Sequence, residues 1–247
     1  MGAGILLSSE DLGFMIKGVF SFHIGDTELW ITTTHVCLLI MIILLTIFSI
    51  VAKRTMKNAS EVPGTFQCLI EMVVEMLDNM IKNVMGKNAG KFVNYIGTIF
   101  IFILLSNISG LFGLRPPTAD YGVTFPLGIL TFILIHFNQF KYQKLKDIWV
   151  DMCSPLPPWL PIWLPINLIS ELAVPVSLSL RLFANVLSGT IMMALVYGLL
   201  KLIAIGWPAV LHVYFDMFSG AIQTYVFCML TMTYISNAIG DGDTAKE

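Results

Sequence analysis

Five long stretches of this 247-residue chain are nearly free of charge, and that limits the available folds more than any other feature. Leu29–Ala52, Phe92–Leu114 and Tyr121–Phe140 contain no Asp, Glu, Lys or Arg. Leu172–Leu200 contains only Arg181, and Leu202–Ile239 only Asp216. A helix needs about 20 apolar residues to cross the hydrocarbon core of a bilayer. Charged residues make up 12% of the chain, about half the usual share of a soluble domain. The sequence therefore predicts an all-α polytopic membrane protein, a single integral membrane domain with little mass outside the bilayer. Helices are expected over 29–52, 92–114, 121–140, 172–200 and 208–239.

The basic residues give this arrangement a direction. Lys53, Arg54 and Lys57 follow the first run, Lys82, Lys87 and Lys91 precede the second, and Lys141, Lys144 and Lys146 follow the third. Cytoplasmic loops carry the excess of Lys and Arg. With those clusters inside, Arg115 and Lys201 fall outside, the N-terminus is outside and the C-terminus is cytoplasmic. Residues 1–28 are then an external segment. They show no basic region followed by a short apolar stretch, so no cleavable signal peptide is expected.

Two segments differ from the spans. In Thr65–Met85, Glu71, Glu75, Asp78 and Lys82 recur at helical spacing opposite an apolar side that includes Ile70, Val73 and Leu77. This is the pattern of an amphipathic helix lying in the interface. Residues 152–170 hold five prolines with Trp159 and Trp163. Prolines interrupt a helix and tryptophans favour the membrane boundary, so an interfacial turn is expected there. The last two runs are longer than a simple crossing. At 1.5 Å per residue, 208–239 spans roughly 48 Å against a core of about 30 Å, which demands strong tilt.

Those same two helices carry the polar residues at membrane depth. A charge at the bilayer centre costs at least about 2.5–3.5 kcal/mol, so it faces protein or water. Ser177, Arg181, Ala184 and Ser188 share one helix face, small apart from the arginine, with Asn185 beside it. Small residues let a neighbouring helix approach closely. In the last run His212, Asp216, Gly220 and Gln223 form a second stripe. A permanent Arg181–Asp216 bridge is one reading of these charges, but buried ion pairs stabilise poorly. Chains of intramembrane Asp, Glu and His mark ion or proton routes.

PINLISELAVPVSLSLRLFAN (Pro165–Asn185) and FSGAIQTYVFCMLTMTYIS (Phe218–Ser236) resemble subunit a of the F-type ATP synthase. RPPTAD (Arg115–Asp120) and NISGLF (Asn107–Phe112) extend the resemblance, which runs from about Leu29 to the C-terminus. It implies a stator beside a rotating c-ring, a b-subunit peripheral stalk and the rest of the synthase as partners, and a bacterial plasma membrane as location. Ions would enter by one half-channel, ride the ring on its carboxylates and leave by another. Arg181 matches the family's arginine between the half-channels, and Gln223 the glutamine facing it.

Physical chemistry accounts for arginine in that role. A ring carboxylate can face lipid only when neutral, and ionises beside a cation. Arginine, unlike buried lysine, keeps its charge. The resemblance also marks Asn185 after the motif, Asp216 in the outer half-channel, Glu171 on the cytoplasmic route, Asp120 near the outer entrance, and Ser177 along the path to the ring. Two departures stand out. Ala184 replaces a common glycine, and Thr190 stands where many bacterial relatives have glutamate. Asp216, with His212, is then expected to supply the titratable group of the outer route.

Rival readings are weaker. A free-standing secondary transporter or channel would place Arg181 in an anion or ion site, but no paired repeat with broken helices is visible. Gly240-Asp-Gly-Asp243 lies in a polar tail, and neither HExxH nor GxSxG occurs, against catalysis by the chain itself. No phosphate loop suggests nucleotide binding, and nothing suggests nucleic acid. Cys37, Cys68, Cys153 and Cys228 lack metal-ligand spacing, so neither cofactor nor metal is expected.

Overall fold

The computed structural model describes residues 18–24, 27–57, 64–112, 114–143, 148, 164–199 and 207–239. Five of its helical segments are long and apolar enough to cross a membrane, so the chain is a multi-pass helical membrane protein. Two strands precede them: β1 (Gly18–Ile24) pairs antiparallel with β2 (Thr27–Thr32). The remainder of the expected external segment, 1–17 and 25–26, lies outside the described residues.

The first helix, α1 (Thr33–Lys57), begins four residues after the start of the first uncharged run, because β2 takes Leu29–Thr32. Trp30, Ile31 and Thr32 are residue types that favour strands. At the other end α1 continues through Lys53, Arg54 and Lys57, where cations complement the carbonyl end of the helix. Most of α1 is exposed, from Leu39 to Val51, as suits a helix facing lipid.

The amphipathic segment forms α2 (Thr65–Met85), and Gly86, with φ of +52°, turns the chain at its end. Left-handed backbone of this kind favours glycine. A short 3-10 turn (Gly86–Asn88) leads into α3 (Ala89–Ile108), which tightens into a further 3-10 turn (Ser109–Phe112). Ile70, Leu77, Ile81 and Met85 of α2 are buried, whereas Phe66, Leu69, Met72 and Met76 are exposed. The helix thus has a packed apolar face and an open apolar face, flanked by the Glu71–Lys82 stripe.

After the Pro117–Ala119 turn, α4 (Tyr121–Tyr142) starts on Asp120, whose Oδ1 accepts from the Gly122 N–H at 2.9 Å. This side-chain cap satisfies one of the free donors at the helix start. The helix Leu164–Leu199 carries the arginine and is called the arginine helix below. It corrects the expected boundary, because 164–170 is helical and not part of the proline-rich turn. Pro165 stands at its second residue, where the missing N–H costs nothing. The rest of that turn, up to residue 163, lies outside the described residues. Pro175 sits inside the arginine helix and leaves the Glu171 carbonyl without its helical donor.

The final helix runs through three consecutive segments: α-helical Trp207–His212, π-helical Val213–Ser219 and α-helical Gly220–Ile239. A plain α-helix was expected, and periodicity alone gives no sign of the wider turn. The arginine helix has 36 residues, roughly 54 Å of length, so it must cross a core of about 30 Å obliquely or protrude from it.

In lipid, packing and interhelical hydrogen bonds hold helices together, and small residues let them meet. Gly128 of α4 lies so close to the arginine helix that a Cβ would come within 2.6 Å of the Pro175 carbonyl oxygen. The common core joins Ile81 of α2, Ile96 and Ile103 of α3, Leu178 and Leu182 of the arginine helix, and Phe227, Met232 and Ile235 of the final helix.

Candidate functional site

Arg181 lies on the uncovered face of the arginine helix. Leu178, Ser179, Leu182 and Gly189 are buried, while Ser177, Arg181, Ala184 and Ser188 are exposed. Among the described residues, no hydrogen bond or ion pair involves Arg181. A fixed Arg181–Asp216 bridge is therefore not present. The guanidinium stands at the chain's surface, next in sequence to Leu180, which is 46% exposed.

Asp216 has another partner. Its Oδ2 lies 3.2 Å from Nδ1 of His212, one turn earlier on the same helix. Both line a cavity of about 280 Å³, together with Thr190 and Gly189 of the arginine helix and Gly110, Arg115 and Pro116 from the preceding loop. Asp216 lies within the π-helical segment, and π turns occur frequently at functional sites. Gly110 is essential to the fit, since a Cβ there would come within 2.9 Å of the Asp216 Oδ2.

Polar contacts anchor this end of the final helix. Ser219 Oγ donates to Asn185 Oδ1 at 3.0 Å, linking the final helix to the arginine helix. Asn107 of α3 is buried and donates to the Gly220 carbonyl at 3.1 Å. It accepts from Thr118 Oγ1 at 2.9 Å. One side chain thus ties α3 and the Pro117–Ala119 turn to the residue that follows the π segment. Gly220 permits this crossing, because a Cβ there would meet the Asn107 Cβ at 2.8 Å.

A second cavity, of about 220 Å³, lies further toward the start of the arginine helix. Glu171 and Val174 line it, with His136 and Gln139 of α4 and Tyr234 and Asn237 of the final helix. Glu171 Oε2 is 3.5 Å from His136 Nε2. Each cavity therefore holds one histidine–carboxylate pair. Glu171 is ten residues before Arg181 and Thr190 nine after it, roughly 15 Å and 14 Å along the helix.

The other expected residues fall as follows. Gln223 is buried on the final helix, between Asp216 and Tyr234 in sequence, and its amide nitrogen has no hydrogen-bond partner among the described residues. It makes no bond to Arg181. Asp120 caps α4 and lines a separate cavity with His35. It is Pro116 and Ala119 of the same loop that reach the Asp216 cavity. Ser177 shares the exposed face of Arg181.

Sequence reasoning missed His136, Gly110, Arg115 and Asn107 as parts of these sites. His136 was detectable as the one imidazole inside the third uncharged run. Asn107 was detectable as an amide within an apolar helix. Nothing in the sequence pairs Gly110 with Asp216. Among the described residues no cluster of three His, Cys, Asp or Glu could hold a metal.

The comparisons with known proteins agree with one another. The family model described as ATP synthase A chain matches residues 34–236. "ATP synthase subunit a, sodium ion specific" of Propionigenium modestum is 33% identical, covering 94% of this chain and 80% of that protein. "ATP synthase subunit a" of Moorella thermoacetica is 29% identical over 91% of this chain and 97% of the relative. That of a Sulfurihydrogenibium species is 33% identical over 82% and 94% respectively.

Proposed function

The chain belongs to the ATP synthase A chain family, and from that premise we propose how its helices carry ions. It is a non-catalytic, ion-translocating stator subunit in the membrane sector of an F-type ATP synthase. The two cavities are its half-channels, and Arg181 is the electrostatic gate between them. The coupled ion is a proton or a sodium ion.

One observation carries this reading. Two cavities with histidine–carboxylate pairs are offset along one helix, and between them an exposed arginine has no partner among the described residues. An exposed charge at that depth needs a counter-ion from outside the chain. A c-ring carboxylate passing the Ser177–Ser188 face meets this need. Loaded and neutral, it crosses lipid. Beside the guanidinium it ionises and releases its ion. The fixed positive charge keeps an ion from passing directly between the half-channels. Leakage would otherwise dissipate roughly 2.3 kcal/mol per charge per 100 mV.

The basic clusters orient the molecule. Lys141 follows His136 by five residues on α4, so the Glu171 cavity opens to the cytoplasm. Arg115 marks the outer side, where the Asp216 cavity opens. The N-terminus is then outside and the C-terminus inside, in a bacterial plasma membrane. The c-ring covers the arginine face, and the b-subunit stalk and the rest of the synthase complete the assembly. Asp120, at the outer end of α4, stands near the outer entrance.

Cysteine labelling tests the two half-channels. In a complex whose native cysteines are replaced, T190C is expected to react with a membrane-impermeant maleimide only from the outer face of vesicles, and V174C only from the cytoplasmic face. Labelling of both from the same face would contradict the reading.

A further inference from the structure

The His136–Glu171 contact has an asymmetry that fixes where a proton sits. His136 Nδ1 lies 3.1 Å from the backbone carbonyl oxygen of Phe132. A carbonyl oxygen only accepts, so Nδ1 must carry a hydrogen. The Phe132 ring lies against the imidazole, with centroids 4.1 Å apart, and helps to hold that orientation. The other nitrogen, Nε2, then faces Glu171 Oε2 at 3.5 Å. A bare lone pair opposite an ionised carboxylate is repulsive. The contact is favourable only with a proton between the two atoms, on Nε2 or on the carboxyl group.

From this geometry we propose that His136 and Glu171 form a shared-proton site, with His136 the proton-exchanging residue of the inner half-channel. The inference rests on the half-channel reading and names the ion at this point as a proton. Arriving at Glu171, a proton converts the pair from imidazole and carboxylate to imidazolium and carboxylate. Leaving toward the cavity water, it restores the neutral ring. No bond but that to the proton is made or broken. Among the described residues that line the cavity, Tyr234 is the other titratable group, Asn237, Gln139 and Gln143 are neutral, and none is a lysine or arginine.

The pair differs from the one in the other cavity. His212 and Asp216 sit on one helix, whereas His136 and Glu171 join α4 to the arginine helix, one side of the contact coming from each. Glu171 also bears the carbonyl freed by Pro175, so the inner pair lies where the arginine helix lacks one of its own hydrogen bonds.

The test uses membrane vesicles carrying the complete ATP synthase, and vesicles stripped of its soluble sector, with a potassium diffusion potential driving proton flux read by a pH-sensitive dye. H136Q is expected to lower flux by about tenfold or more, as for loss of a positioned acid–base group. It should also flatten the dependence of flux on cytoplasmic-side pH. E171Q, which keeps the histidine, is expected to flatten the same profile and serves where H136Q does not assemble. Flux in H136Q with the parent's rate and profile would overturn the proposal. So would a uniform loss at every pH in both variants, or a flux that follows sodium and ignores pH. R181A in the same vesicles tests the half-channel reading separately: coupled pumping lost there, with H136Q unchanged, overturns only the shared-proton site.

Discussion

The Asp216 carboxylate packs directly over Gly110: a Cβ on Gly110 would lie 2.9 Å from Oδ2 and 3.0 Å from Cγ. The loop after α3 therefore shapes the site on the final helix, although 106 positions separate the two residues. G110A must push the carboxylate aside, because real Cβ atoms do not approach that closely. Proton or sodium pumping driven by ATP is expected to fall severalfold, while hydrolysis by the soluble sector persists. Pumping equal to that of the parent would show that the carboxylate position is unimportant.

Thr190 lines the same cavity as His212 and Asp216. Its hydroxyl, which does not titrate, donates to the Val186 carbonyl at 2.9 Å. D216N is then expected to reduce ATP-driven pumping by at least about tenfold, the scale of a lost acid–base group. T190E combined with D216N should restore part of it by placing a carboxylate in the same cavity. Unchanged pumping in D216N would remove Asp216 from the path.

Gly128 faces the Pro175 carbonyl oxygen at 2.6 Å from where its Cβ would lie. That obstacle is backbone, which cannot rotate away as a side chain can. G128A is expected to lose about 1–3 kcal/mol, as for overpacking of a tight core. A lowered thermal midpoint of the purified complex would register it. G220A, blocked by the Asn107 Cβ, should behave similarly. An unchanged midpoint in both would mean that α4, α3 and the two long helices can separate without cost.

Much of this architecture is legible in the sequence because lipid imposes simple demands. Uncharged runs of sufficient length point to helices, since a helix pairs its own backbone groups where hydrocarbon offers them no partner. Arg181 and Asp216 stand out because a charge at that depth is costly. What escapes is anything set by backbone detail. The π segment around Asp216 has no signature in apolar periodicity. The helical start at Leu164 hides behind prolines that read as breakers, although one of them stands at a tolerated position. β2 displaces the start of α1 because pairing with β1 competes for Leu29–Thr32. A single histidine does not interrupt an uncharged run, and the contact of His136 with Glu171 is set by the packing of another helix.

The exposed guanidinium of Arg181 lies between two cavities, without a partner among the described residues, and R181A tests its proposed role as a gate most directly. In the assembled complex, ATP hydrolysis by the soluble sector and ion pumping across the membrane are measured together. Loss of coupled pumping with hydrolysis retained is the expected result. Normal coupled pumping in R181A would contradict the gate.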